Sequence, residues 1–245
     1  MSAGDSGGEV GGGSEVGAAV TIDELLLADE PERWAALGFT IADGCAALGT
    51  VRVRLAGRGS GRGIVSWSLR GIASLRGVGS LRGVAGVELD GLPTIRSESP
   101  LPAAAPMHPN GVLAIDHVVA MTCALDRSVQ ALQDAGLDLR RIREQPTPAG
   151  APRQAFFRLG AEILEVVQEP EQIVEQQGGA DRPARLWGLA LIAPDLDRTV
   201  QALAPHASEA RPAVQPGRRI ATVRRSAGLA VPVALMTPPA DRKNV

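Results

Sequence analysis

The segment LDRSVQAL at 125–132 returns as LDRTVQAL at 196–203, an offset of 71 residues with seven of eight letters shared and Ser128 exchanged for Thr199. Such a repeat implies that two stretches of one chain fold alike, so the protein is assembled from modules. Each copy follows an apolar run, IDHVVAMT or WGLALIA, and precedes further runs that close on EILEVV or VPVALM. Leu125, Val129 and Leu132 recur at helical spacing, which predicts a helix laid on a sheet. The flanking runs predict strands, so the unit reads as strand, helix and three strands.

The first third joins the series. TIDELLLA aligns with AIDHVVAM through a shared Ile-Asp, and ALGF with DAGL where the helix ends. In the stretch DEPERWAALGF, Pro31 suits a first helical turn and Gly38 a stop. Val51 to Leu55 alternate apolar and basic residues, the pattern of a strand with one wet face. The loop GRGSGRG matches neither phosphate-binding glycine spacing and reads as a hairpin turn, and IVSWSL follows as a strand.

The expected organisation is a Gly-, Ser- and acid-rich disordered tail at 1–18 and a degenerate N-terminal module at 19–99. A Pro-rich linker at 100–111 leads to a domain at 112–240 made of two modules, 112–170 and 185–238. SLRGIA, SLRGVG and SLRGVA within 68–85 read as a duplicated surface insertion. His108 reads as an exposed linker histidine and His206 as a surface one.

Two residues stand out against their strands. His117 is predicted to share a face with Leu113, Ile115 and Val119, and Glu165 with Ile163 and Val167. An imidazole and a carboxylate are costly to bury without a partner, so they should meet a metal, a ligand or each other. Glu162, on the other face of its strand, is expected to meet solvent or a helix. Among Arg153, Arg158, Arg218, Arg219 and Arg224, one or two are expected to point inward and fork to a carboxylate or phosphate. Ser128 and Thr199 lack a His-Asp context, so no hydrolase triad is supported.

Composition narrows the partners. Net charge is −2, Lys243 is the only lysine, Tyr is absent, and Phe and Trp number three each. Neither a basic surface nor stacking platforms for nucleic acid are supplied. No apolar run reaches the length of a membrane span, and residues 1–18 have no secretory pattern. Cys45 and Cys123 form no C-x-x-C, which points to a reducing, cytoplasmic setting.

IDHVVA, the LDR[ST]VQAL helix, RQAFFRLG and EILEVV together resemble the vicinal oxygen chelate superfamily of glyoxalase, bleomycin-resistance and dioxygenase-like proteins. The resemblance covers 112–238 well and 19–70 more weakly. It implies an α+β fold in which βαβββ modules pair into an open, cup-shaped mixed sheet with a divalent metal in the cup. It makes His117 the first-strand ligand and Glu165 the last-strand ligand, and Zn, Fe, Mn or Ni would suit them. No nucleotide cofactor is expected.

In the last module Gly188 stands opposite His117 and Ala234 opposite Glu165, and neither can ligate. If the first and middle modules paired instead, Glu24 would fall opposite His117 and complete a Glu24, His117, Glu165 set. Middle plus last is the preferred pair, because their sequences are more alike. Three functions follow: a metal-dependent lyase, isomerase or dioxygenase; a metal-free protein that binds a small molecule in the cup; or an interaction module, with a homodimer allowed.

Overall fold

The computed structural model describes residues 19–72, 79–81, 84–148 and 150–239. The expectation of a disordered tail at 1–18 and most of the SLRG repeat lie outside the described residues.

The middle unit runs β8 (Ala114–Thr122), α2 (Leu125–Asp134), β9 (Asp138–Arg143), β10 (Gln154–Leu159) and β11 (Glu162–Gln168). The last runs β12 (Arg185–Ile192), α4 (Leu196–Ala202), β13 (Arg211–Pro212), β14 (Arg219–Thr222) and β15 (Val233–Met236), after a short α3 (Glu171–Gln176). They form one eight-stranded sheet in the order β13-β14-β15-β12-β8-β11-β10-β9. The two entering strands, β12 and β8, meet antiparallel at its centre. Each is flanked by its own closing strand in parallel, β15 beside β12 and β11 beside β8. The repeat read in the sequence is therefore a pseudo-twofold in the sheet.

Both repeat helices bury the predicted stripe: Leu125, Val129 and Leu132 on α2, Leu196 on α4. In α2, Ser128 is fully buried, donates to the Asp90 carboxylate and accepts from the Thr122 hydroxyl at 2.7 Å. It is a packing contact between modules.

The N-terminal third departs from the single-module reading. β1 (Thr21–Leu27), α1 (Pro31–Ala36), β2 (Cys45–Leu48) and β3 (Val51–Leu55) are followed by β4 (Ile64–Arg70), β5 (Gly79–Leu81), β6 (Val84–Leu89) and β7 (Leu92–Ser97). All seven strands form one sheet, ordered β2-β3-β1-β4-β7-β6-β5. β1 and β4 meet antiparallel at its centre, with β3 parallel to β1 and β7 parallel to β4. That arrangement repeats the second sheet with one strand fewer, so 19–99 holds two half-units rather than one. Among the described residues no module is left without a partner, which removes the basis of the interaction-module reading.

One apolar cluster spans both sheets, with Trp34, Trp67 and Phe157 fully buried in it. The β6–β7 hairpin turns through Asp90 (φ 50) and Gly91 (φ 87), the positive-φ pair that a tight hairpin demands. A Cβ on Gly91 would lie 2.1 Å from Pro183 Cβ, so the turn also seats against the segment that enters β12. Burying the Asp90 carboxylate is made tolerable by the Arg127 guanidinium, 2.6 Å away.

The linker histidine is buried, not exposed. His108 is 6% accessible, its Nδ1 accepts from Thr40 N–H at 3.1 Å, and its Nε2–H donates to Ala47 O at 3.0 Å. It ties the linker to the outer edge of β2.

Candidate functional site

β8 carries a bulge. Ala190 pairs with His117 but the next residue, Leu191, pairs with Ile115, which leaves Asp116 as an extra residue opposite β12. The bulge reverses alternation at that point. Ile115 turns into the core at 2% exposure, while Asp116 and His117 both line the concave face with Val119 continuing it. The expectation that Ile115 and His117 share a face therefore fails by one residue.

On β11, Ile163, Glu165 and Val167 are partly accessible, whereas Leu164 and Val166 are buried beneath them. Parallel pairing sets Glu165 beside Val119 and Ile163 beside His117. His117 Nε2 and Glu165 Oε2 come within 3.4 Å, so the two singled-out residues do converge. Glu162, on the opposite face, is 2% exposed and therefore not solvated; burial pushes its carboxyl up, with Thr50 hydrogen-bonded to it.

A polar chain runs across the sheet from this pair. His117 Nδ1–H donates to Asp116 Oδ2 at 2.7 Å. Arg218, just before β14, forks onto Asp116 at 2.6 and 3.2 Å and also donates to Thr237 O at 2.8 and 2.6 Å. At the other end, Gln154 Nε2 donates to Glu165 Oε1. Burial raises the Glu165 carboxyl above its ordinary range, with the His117 charge opposing. Burial also works against Asp116, but the hydrogen bonds from His117 and Arg218 outweigh it and hold that carboxyl low.

A cavity of about 870 Å³ opens on this face. Its walls are His117, Asp116 and Arg218, the apolar Phe156, Ile163 and Ile192, and the arginines 140, 141 and 158. Of the arginines expected to point inward, Arg158 and Arg218 line the cavity. Arg153 pairs instead with Glu144 and Asp126, Arg219 with Asp197, and Arg224 donates to Pro205 O.

Glu24 does not join His117 and Glu165. It sits on β1 of the other sheet and holds Arg54 at 3.0 Å and Arg52 at 3.4 Å. The first-plus-middle pairing that would have brought it close is not formed.

The donor set can be tested against a divalent metal. The strands facing β8 and β11 offer Ala190 opposite His117 and Ala234 beyond it. Gly188 has no side chain, and a Cβ there would lie 3.1 Å from Pro232 O. Asp116 has both oxygens taken by Arg218 and His117. Two donors remain, already facing each other, where three or four protein ligands are usual. Among the described residues no group of three or more His, Cys, Asp or Glu forms a metal cluster.

Asp116, Arg218, Gln154, Arg141 and Phe156 were not singled out as site residues by sequence reasoning, apart from Arg218 among the arginines. The one available signal was the Ile-Asp shared by TIDE and AIDH. In the first sheet Asp23 occupies an equivalent bulge, between the Ile22–Leu69 and Glu24–Ser68 pairs, and is gripped by Arg52 at 2.8 Å and by Arg70.

No protein-family model matches the chain. No curated protein matches it either. Among solved structures, a xylose isomerase-like TIM barrel/4-hydroxyphenylpyruvate dioxygenase fusion protein is similar over 94% of this chain and 50% of its own, at 12% identity and a TM-score of 0.59. This chain thus spans half the length of that fusion protein. Methylmalonyl-CoA epimerase from Mycobacterium tuberculosis matches over 55% of this chain and 94% of its own, at 17% identity and TM-score 0.45. A hypothetical protein from Bacillus halodurans matches over 53% and 97%, at 13% identity and TM-score 0.42.

Proposed function

We propose that this chain, which has the vicinal oxygen chelate fold, binds a small molecule in the cup of its second sheet without a resident divalent metal. The observation that carries this is the closed polar chain of Arg218, Asp116, His117, Glu165 and Gln154 facing a half-sheet that offers Gly188, Ala190 and Ala234. Residues that already satisfy one another make a floor under a ligand. The cavity above that floor, at about 870 Å³, has the size of a small-molecule site.

Metal analysis of protein purified without chelator tests the claim, alongside thermal shifts of the apo protein against a ligand panel. The reading expects no stoichiometric metal and stabilisation by at least one ligand. One equivalent of Zn, Fe, Mn or Ni, lost in His117→Ala and Glu165→Ala, overturns it.

That second outcome belongs to the alternative, a metal-dependent lyase, isomerase or dioxygenase. The 3.4 Å approach of His117 Nε2 to Glu165 Oε2 favours it, since it sets two potential ligands side by side. No described helix is long and apolar enough to cross a membrane. Cys45 and Cys123 are both free thiols, which supports a reducing compartment.

A further inference from the structure

We infer that the ligand of the cup is an organic oxyanion, a carboxylate or phosphate carried on an apolar body, whose charged group is held between Arg141 and Arg158. The inference rests on the cup being the ligand site and adds the chemistry of what it takes.

Four arginines line the cavity against one lining acid, Asp116, with Glu165 beside His117 in the floor. Two of the four are spoken for: Arg218 by Asp116, and Arg140 by Asp138 at 3.1 Å. Arg141 and Arg158 have no carboxylate within ion-pair reach among the described residues. Arg141 lies over the Phe156 ring, 4.6 Å from its centroid.

Strand pairing sets both arginines on the cavity face. Arg141 on β9 pairs directly with Phe156 on β10, and Arg158 follows two residues later on the same face of β10. Diagonal neighbours of this kind start roughly 7–8 Å apart, a gap that long side chains close around a single ligand group. Guanidinium forks match the paired oxygens of a carboxylate or phosphate. Phe156, Ile163 and Ile192 line the same cavity and suit an apolar body.

The arginines on the central strands of the first sheet are by contrast closed: Arg52 on Asp23 and Glu24, Arg54 on Glu24, and Arg70 on Asp23. Arg141 and Arg158 act at longer range on Glu165 and Glu162 but are paired with neither, and a cavity with such an excess of positive charge attracts anions, most of all one that forks to both groups.

Calorimetric titration of the full chain with phenylacetate, phenyl phosphate, neutral phenylacetamide and inorganic phosphate tests this, in low and high salt. Phenylacetate or phenyl phosphate should bind, more weakly at high salt, and at least about tenfold tighter than phenylacetamide. Arg141→Gln and Arg158→Gln should each weaken the anion by about tenfold or more without changing the melting temperature appreciably, and Arg62→Gln, in the other half of the protein, should not. Phenylacetamide binding as tightly as phenylacetate, or unchanged anion binding in both variants, overturns the oxyanion assignment and leaves the cup as a binding site. Inorganic phosphate binding as well as phenyl phosphate overturns the apolar body. Failure of every probe, charged or neutral, overturns the cup itself.

Discussion

Removing the Asp116 carboxylate should cost stability because it strands a buried cation. The side chains of Asp116 and Arg218 are 12% and 9% exposed and joined by a two-point fork. Breaking one side of a buried pair typically costs about 3–5 kcal/mol, since the remaining charge stays desolvated. Here Arg218 keeps two hydrogen bonds to Thr237 O, which softens the loss. We expect about 2–3 kcal/mol for Asp116→Ala, a similar loss for Arg218→Met, and a coupling energy of about 1.5–2 kcal/mol in the double variant. Urea unfolding reads these as shifts in midpoint at constant slope. The acid limb supplies a second readout. Asp116 is held below its ordinary 3.8, so the stability it contributes is present above that value and lost as pH falls through the depressed one. Asp116→Asn should flatten that limb. A coupling energy under about 0.5 kcal/mol, with the acid limb unchanged, would refute the fork as a structural element.

His108 can hold the linker only as the neutral ring, since Nδ1 must accept from Thr40, and burial pushes its pKa below 6.5. The stability it contributes should therefore be complete above pH 6.5 and fall as pH drops through the depressed value; His108→Ala should lose about 2–3 kcal/mol at pH 8 and show less of that pH dependence. Gly91→Ala meets both a positive φ and Pro183, so we expect at least about 2 kcal/mol of destabilisation by urea unfolding; a neutral result would mean the β6–β7 turn does not seat against the entry to β12.

The pairing of His117 with Glu165 was legible because each broke the apolar period of its own strand, and a closing strand laid parallel to its entering strand brings both onto one face. The cup's charge was only half legible. Arginine content is plain in the chain, but whether Arg158 is open and Arg153 closed depends on Glu144 and Asp126 being near the latter. That is a matter of which strands become neighbours. His108 went unread for the same reason: in a Pro-rich stretch nothing local shows that β2 presents a free carbonyl at Ala47 for it to meet.

What the amino-acid order alone determined is the module: strand, helix and strands follow from apolar spacing and turn residues, and the 125–132 and 196–203 repeat dictates that two copies fold alike. Those properties are local, so they survive without knowledge of partners. What tertiary structure decided is register. One extra residue at Asp116, defined only by how β12 lies against β8, turned Ile115 inward and set Asp116 beside His117. The first third likewise became seven strands because β4 found β1 and β7, a non-local pairing that no window of sequence encodes. Periodicity says which residues alternate; only the neighbouring strand says which face is the inside.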